Sequence, residues 1–478
     1  MLFSSWEYIL FFFAVIIFYF SIQHKFRIYL LLGASYYFYM SWRWEFGFLM
    51  LAVSLVNFYL GKKIWVTSER RKKNMLLAVS VVVSLLPLIY FKYANFLLES
   101  VGWLATKSGF EITDMHVAVI LPVGISFFTF QALSYSLDIY RENTKPEESA
   151  VHFLTFVAFF PQLIAGPIER SVNMLPQFKR EHTVDLKRFV EGGQLFIWGL
   201  FKKIVIADRL ALYSDPVFNN PEVYSGPTLL LATLFFTFQI YCDFSGYSDM
   251  AIGSARILGF KLMQNFNLPY LAKSIGEFWK RWHISLSTWF ADYVYIPLGG
   301  NRVEMGRWFF NIMVVFLVSG LWHGANWTFV VWGGLHGLYY IIEFFWKRIL
   351  DYFNLEGVED NKLYKVIKII ITFLLVMYSW IFFRANSLYD ALYISDKIFD
   401  FSGQLWWGAS SVTTLFSLLL IGLLMIVQIL QYNKVIPNYI GYGSTDLPRW
   451  VSWAAFILLL LGISLFGISS NAFIYFQF

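Results

Sequence analysis

The stretch WFFNIMVVFLVSGLWHGANWTFVVWGGLHGLYYII, Trp308 to Ile342, contains no Asp, Glu, Lys or Arg. One membrane crossing takes roughly 20 apolar residues, so the run holds two helices, expected to meet between Gly320 and Gly324. Composition places such a run in lipid rather than in a soluble core. Of 478 residues, 58% are hydrophobic and 14% charged, where a soluble domain carries about 25% charged residues. The aromatic share is 21%, with 52 Phe, 29 Tyr and 19 Trp. Trp and Tyr rings suit the bilayer interface, where an apolar body and a polar tip each find their own solvent. A large soluble enzyme is excluded. The predicted class is all-α, a polytopic integral membrane protein.

Working outward, earlier apolar runs are Tyr8 to Gln23, Ile28 to Trp42, Phe46 to Gly61, Asn74 to Phe91, Met115 to Leu137 and Tyr224 to Cys242. Later ones are Ile369 to Phe383, Phe401 to Asn433 and Trp450 to the C-terminus. About eleven crossings are expected. The first run lacks a basic flank and a small-residue cleavage site, so it reads as a membrane segment rather than a cleaved leader. No internal repeat or soluble domain is evident. The chain is read as one membrane domain, 1–478, with a motif-bearing core at 115–345 and less distinctive helices at 365–478.

Charge sets orientation. The segment from Gly61 to Asn74 carries Lys62, Lys63, Arg70, Arg71, Lys72 and Lys73 against one acid, Glu69. Lys/Arg-rich loops stay cytoplasmic, which puts the N-terminus outside and the stretch from Arg141 to Ser149 inside. The basic segment from Arg170 to Arg188 reads as inside too. The run between them, Ala150 to Ile168, is therefore expected to enter and return, broken at Pro161, Gly166 and Pro167. Non-helical backbone at membrane depth needs protein or a water-filled cavity around it. The net charge of +6 belongs to these loops, so nucleic acid is not an expected partner. The single cysteine, Cys242, excludes an internal disulfide and a Cys-based metal cluster.

Ionisable groups inside hydrocarbon are costly and mark functional candidates. One set, Asp243, Ser245 and Asp249, is expected to end the helix that begins near Tyr224, where capping is the bland alternative. A second lies in FWKRWHISLSTWF, Phe278 to Phe290. Read as one helix, it puts Trp279, His283 and Ser287 on one face, with Lys280 and Arg281 rotated away. His323 sits in SGLWHGANW, Ser319 to Trp327, between two apolar stretches. A histidine there is expected as the neutral imidazole, the form able to take a proton from a hydroxyl. His336 falls on a different face and reads as structural. No ligand pair has short helical spacing, so no metal is expected. No Gly-x-Ser-x-Gly elbow, P-loop or dinucleotide loop occurs.

At these residues the sequence resembles the membrane-bound O-acyltransferase superfamily, in particular its bacterial branch with alginate O-acetyltransferase membrane subunits and teichoic acid D-alanyl transfer proteins. The resemblance is carried by MLFSS (Met1 to Ser5), LPVGISFFTFQ (Leu121 to Gln131), PQLIAGP (Pro161 to Pro167), DFSGYSD (Asp243 to Asp249), NFNLPY (Asn265 to Tyr270), FWKRWH (Phe278 to His283) and LWHG (Leu321 to Gly324). It implies that His323 is the family's invariant histidine and His283 its second polar position. It implies a ring of tilted helices around a central reaction chamber, lined by Gln131, Asp243, Ser245, Asp249, Ser287 and Asn326. It also implies acyl transfer across a bacterial cytoplasmic membrane, within a polysaccharide biosynthesis complex. An extracytoplasmic acyltransferase- or esterase-like partner would complete that transfer.

The expected donor is acetyl-CoA as co-substrate, with no bound cofactor. Lys280 and Arg281, with Trp282 and Trp322, are the candidate donor-binding residues, and Lys202 and Lys203 could add positive charge. His323 would act as general base or carry the acyl group, and His283 would orient the carbonyl. Two other classes stay open: a transporter or flippase for a lipid-linked glycan, and a structural subunit of a secretion complex. A transporter often shows paired interrupted helices in two repeats, and no second copy of the Trp-His-Gly segment occurs.

Overall fold

The computed structural model describes residues 1–110, 116–164, 166–353, 361–436 and 449–468. Among these the regular structure is helical throughout. Among the described residues six helices are long and apolar enough to cross a membrane: Glu45–Val66, Arg70–Lys107, Gly226–Leu258, Met305–His323, Lys362–Arg384 and Ser411–Tyr432. Shorter apolar helices, such as Trp6–Ser21, stand beside them. The surface confirms the solvent. On Ser411–Tyr432, Leu415, Leu419, Leu423 and Ile426 are exposed while Ser417, Gln428 and Gln431 are buried. That inverts the pattern water selects. The protein is a multi-pass membrane protein.

Packing divides the chain into two compact units, Met1–Phe189 with Ser254–Met263, and Val190–Gly253 with Gln264–Phe478. In the first, Asn57 ties three helices together. Its amide donates to Ser84 Oγ at 2.9 Å, and its carbonyl accepts from Ser80 at 2.6 Å and Ser136 at 2.9 Å. Such side-chain bonds hold helices where lipid offers no hydrophobic drive between them.

At one end of this unit the two basic segments meet the stretch from Arg141 to Ser149. Lys73 pairs with Glu142 at 2.8 Å, Lys62 donates to the Glu148 carbonyl at 2.9 Å, and Lys179 pairs with Glu147 at 2.7 Å. Their common side is what the return of the intervening segment requires. That segment forms two short helices, Ala150–Ala158 and Phe160–Leu163, nine and four residues long. Nine residues rise about 14 Å, half of a roughly 30 Å hydrocarbon core. The break falls at Phe159, with Pro161 in the first turn of the second helix.

One expected span starts late. The run from Met115 to Leu137 becomes helical only at Ile125, after Pro122 and Gly124, whose φ is 74°. The preceding backbone is held by Asn95, which exchanges two hydrogen bonds with Val117 at 2.9 and 3.0 Å. A cavity of about 610 Å³ opens in this unit between Glu169, Gln177, Arg180, His182 and Lys261.

In the second unit, a Cβ on Gly199 would lie 2.5 Å from the Gly246 carbonyl, and one on Gly246 would lie 2.7 Å from that of Gly199. Only glycine at both positions lets the Leu186–Phe201 and Gly226–Leu258 helices touch backbone to backbone. The first then widens into a π turn, Lys202–Ala207, which carries two lysines onto the second.

Candidate active site

The Gly226–Leu258 helix does not end at Asp243. It runs on for 33 residues through Ser245 and Asp249, because cations from the π turn neutralise its acids. Lys203 Nζ lies 2.6 Å from both Asp208 and Asp243, and Lys202 Nζ lies 2.7 Å from Asp249 and 2.9 Å from Ser245 Oγ. Both lysines are buried. The positive charge expected to meet donor phosphates at Lys202 and Lys203 is thus spent inside the fold. Asp249 and Lys202 line a small cavity of about 30 Å³ with Tyr241, Asn267, Gln428 and Gln431. That is room for about one water.

The segment from Phe278 to Phe290 is not one helix. Ile275–Arg281 stops, Trp282 is extended, and His283 takes φ 43° and ψ 53° before Ile284–Phe290 resumes. A non-glycine residue in the left-handed region persists only when its surroundings over-determine it. Here Asn265 does so. Its carbonyl accepts from Ile284 N at 2.9 Å, its Oδ1 accepts from Ser285 N and Oγ at 3.3 and 3.0 Å, and its amide donates to Ser248 at 3.3 Å. The His283 carbonyl meanwhile accepts from Leu286 N and Ser287 N at 3.0 Å. The break sends Trp279 away from His283. Its indole donates to His336 Nδ1 at 3.3 Å. His336 Nε2 lies 2.9 Å from Ser379 Oγ, which itself donates to the Val376 carbonyl at 2.7 Å. His336 therefore carries its proton on Nε2 and is satisfied on both sides.

His323 is the last residue of Met305–His323, and Trp327–Tyr352 begins after a cap at Asn326, whose side chain accepts from Thr328 N at 3.0 Å. The two helices expected from the 308–342 run thus meet at Gly324 to Asn326. Their hairpin is tight: a Cβ on Gly320 would lie 2.2 Å from the Phe329 carbonyl.

His283 and His323 are both buried, 0% and 2% exposed, with ring centroids 6.2 Å apart. Aromatic rings surround them. Phe244 lies 4.6 Å from His283, while Trp322, Trp332 and Phe383 lie 5.0, 5.0 and 5.4 Å from His323. Two buried imidazoles at this spacing have the chemistry to take up a proton from a hydroxyl and return it to a leaving group. Among the described residues no group of His, Cys, Asp and Glu is arranged to hold a metal.

The other candidates fall in different places. Lys280 is exposed, and Arg281 pairs with Glu277 at 2.7 Å and donates to the Asn267 carbonyl at 3.1 Å. Ser287 donates to the Trp282 carbonyl at 3.3 Å, and Asn326 caps a helix. Gln131 is fully buried in the first unit, on Ile125–Tyr140. Sequence reading gives Asn265 no role beyond its place in the NFNLPY motif and does not single out Trp332 and Trp380. The fully buried indoles of Trp282, Trp332 and Trp380 find no hydrogen-bond acceptor among the described residues. Each such buried donor costs about 1–3 kcal/mol.

Comparison with known proteins converges on this stretch. Residues 72–387 match the MBOAT, membrane-bound O-acyltransferase, family. A Pseudomonas aeruginosa protein named probable alginate O-acetylase is 43% identical over 84% of this chain and 75% of its own length. A peptidoglycan O-acetyltransferase of Helicobacter pylori is 37% identical over 77% of this chain and 73% of its own. A teichoic acid D-alanyltransferase of Streptococcus thermophilus is 30% identical over 55% and 68%.

Proposed function

The chain belongs to the membrane-bound O-acyltransferase family, and we propose that it moves acetyl from cytoplasmic acetyl-CoA to hydroxyls of an extracytoplasmic polysaccharide. The observation that carries this reading is the pair His283 and His323, buried side by side at 6.2 Å within the matched stretch. Relatives named for O-acetylation of alginate and of peptidoglycan favour acetyl as the group and a surface glycan as the acceptor.

In the proposed step the acceptor oxygen bonds to the thioester carbonyl carbon while His323 takes the hydroxyl proton. The tetrahedral intermediate then collapses, the C–S bond breaks, and the thiolate leaves with that proton. His283 orients the carbonyl. The donor approaches from the cytoplasmic side past Lys280, Arg281, Trp282 and Trp322, and Asp243, Ser245, Asp249, Ser287 and Asn326 contribute polar lining. The residence is a bacterial inner membrane, and an extracytoplasmic partner chain completes transfer to the polymer.

The test is reconstitution of the purified protein in sealed lipid vesicles with labelled acetyl-CoA and alginate oligosaccharides, alone and with a co-purified partner. Label appearing in the sugar as an ester supports the reading. Uptake of label into vesicles with no ester formed would overturn it in favour of transport.

A further inference from the structure

Several indoles of the second unit donate to ordinary protein acceptors. Trp279 donates to His336, Trp308 to the Tyr295 hydroxyl at 2.9 Å, and Trp346 to the Tyr364 hydroxyl at 3.1 Å. Trp282, Trp332 and Trp380 are the contrast. All three are fully buried, and none of their N–H groups meets an acceptor among the described residues. They are also contiguous. Trp282, next in sequence to His283, lies 5.0 Å from Trp380, which stacks on Trp332 at 5.8 Å and 22°. Trp332 stands edge-on to His323 at 5.0 Å and 83°. The three indoles form an arc from one histidine to the other.

We propose that this arc is the donor surface for the reacting carbonyl, with Trp332 and Trp380 presenting their N–H groups to the carbonyl oxygen of the acyl thioester. The assignment rests on the acyl-transfer reading above. An indole N–H donates and cannot accept, so it neither competes for the proton nor attacks the donor. A thioester oxygen is a weak acceptor, but it becomes an oxyanion once the acceptor hydroxyl adds to the carbonyl carbon. Donors already fixed in a water-excluded site then stabilise charge that appears only in the transition state. The π pair moves onto that oxygen and the hydroxyl proton goes to His323. On collapse the C=O re-forms, the C–S bond breaks and the thiolate takes the proton back. The indoles exchange no atoms. His323 handles the proton, His283 orients the carbonyl, and the tryptophans hold its oxygen.

The experiment uses the full chain in nanodiscs with its co-purified partner, with acetyl-CoA and alginate oligosaccharides as probes and thiol release as readout. Trp332 and Trp380 are each replaced by Phe and by β-(3-benzothienyl)alanine, which keeps the bicyclic shape and lacks the N–H. If a Phe variant does not accumulate, the isosteric variant carries the test. The expected result is a fall in kcat of about 10²-fold for the isostere at Trp332, with KM for acetyl-CoA within twofold of the parent. A role in packing alone would spare the isostere, so isosteric variants with kcat within twofold of the parent would overturn the assignment while leaving acyl transfer intact. A parent protein that releases no thiol would overturn both.

Discussion

His283 and His323 face each other across 6.2 Å from opposite ends of their helices, one at the start of Ile284–Phe290 and the other at the close of Met305–His323. His283 is thus held at a break between two short helices, and His323 at the last turn of a long one, just before the chain turns back. If the two act as one unit, their effects on catalysis do not add. His323→Ala is expected to lower acyl transfer by at least roughly 10³-fold, and the double substitution His283→Ala with His323→Ala should be no worse. The check is initial rate in matched membranes at equal protein. A double variant slower than His323→Ala by the full His283→Ala factor would show that the two act independently.

The left-handed backbone at His283 separates its structural from its chemical role. Asn tolerates φ near 43° far better than most residues. His283→Asn is therefore expected to accumulate and melt like the parent, while His283→Val, β-branched, loses about 1–3 kcal/mol. Both should lose activity alike. Thermal unfolding in detergent beside a rate assay reads the two effects separately, and equal melting of the Asn and Val variants would count against the strain.

These features mark where sequence reading stops. The 308–342 run was legible as two helices because the absence of charge and the glycines near its middle act locally. The short return of Ala150 to Ile168 was legible from the charge on its flanks. The break at His283 was not, because FWKRWHISLSTWF contains neither Gly nor Pro. Asn265, eighteen residues upstream, decides it through hydrogen bonds no local pattern encodes. Likewise Asp243 and Asp249 look like helix-ending residues until Lys202 and Lys203 arrive from another helix.

The cluster of Lys203, Asp208 and Asp243 yields a stability prediction. Removing one partner of a buried ion pair leaves an uncompensated charge and costs about 3–5 kcal/mol, whereas replacing all partners with neutral groups is often harmless. Lys203→Met alone should therefore accumulate poorly and melt early. The triple variant Lys203→Met, Asp208→Asn, Asp243→Asn should recover most of the loss. Fluorescence-detected size exclusion after heating gives both numbers, and a triple variant no better than Lys203→Met would argue that these groups do more than neutralise each other.

Glu169 links pH to stability in the first unit. Its side chain is 1% exposed, accepts a hydrogen bond from Met263 N, and burial pushes its carboxyl from 4.5 up to about 7 against the pull of that bond and of the Arg170 N–H. The sign follows from proton binding. Below about pH 4.5 the group is protonated folded and unfolded alike, and pH has no effect through it. Between that value and about 7 the unfolded chain releases the proton while the folded chain keeps it, so stability falls as pH rises. The slope is at most about 1.4 kcal/mol per pH unit, the value for one proton. Above about 7 both states are ionised and the curve flattens. Glu169→Gln removes the titration and keeps a carbonyl for Met263 N, so its melting temperature should decline less than the parent's from pH 5 to 7. Parallel curves for the two proteins over that range would mean that Glu169 ionises at its ordinary value. They would also mean that solvent reaches it from the cavity between Arg180 and Lys261.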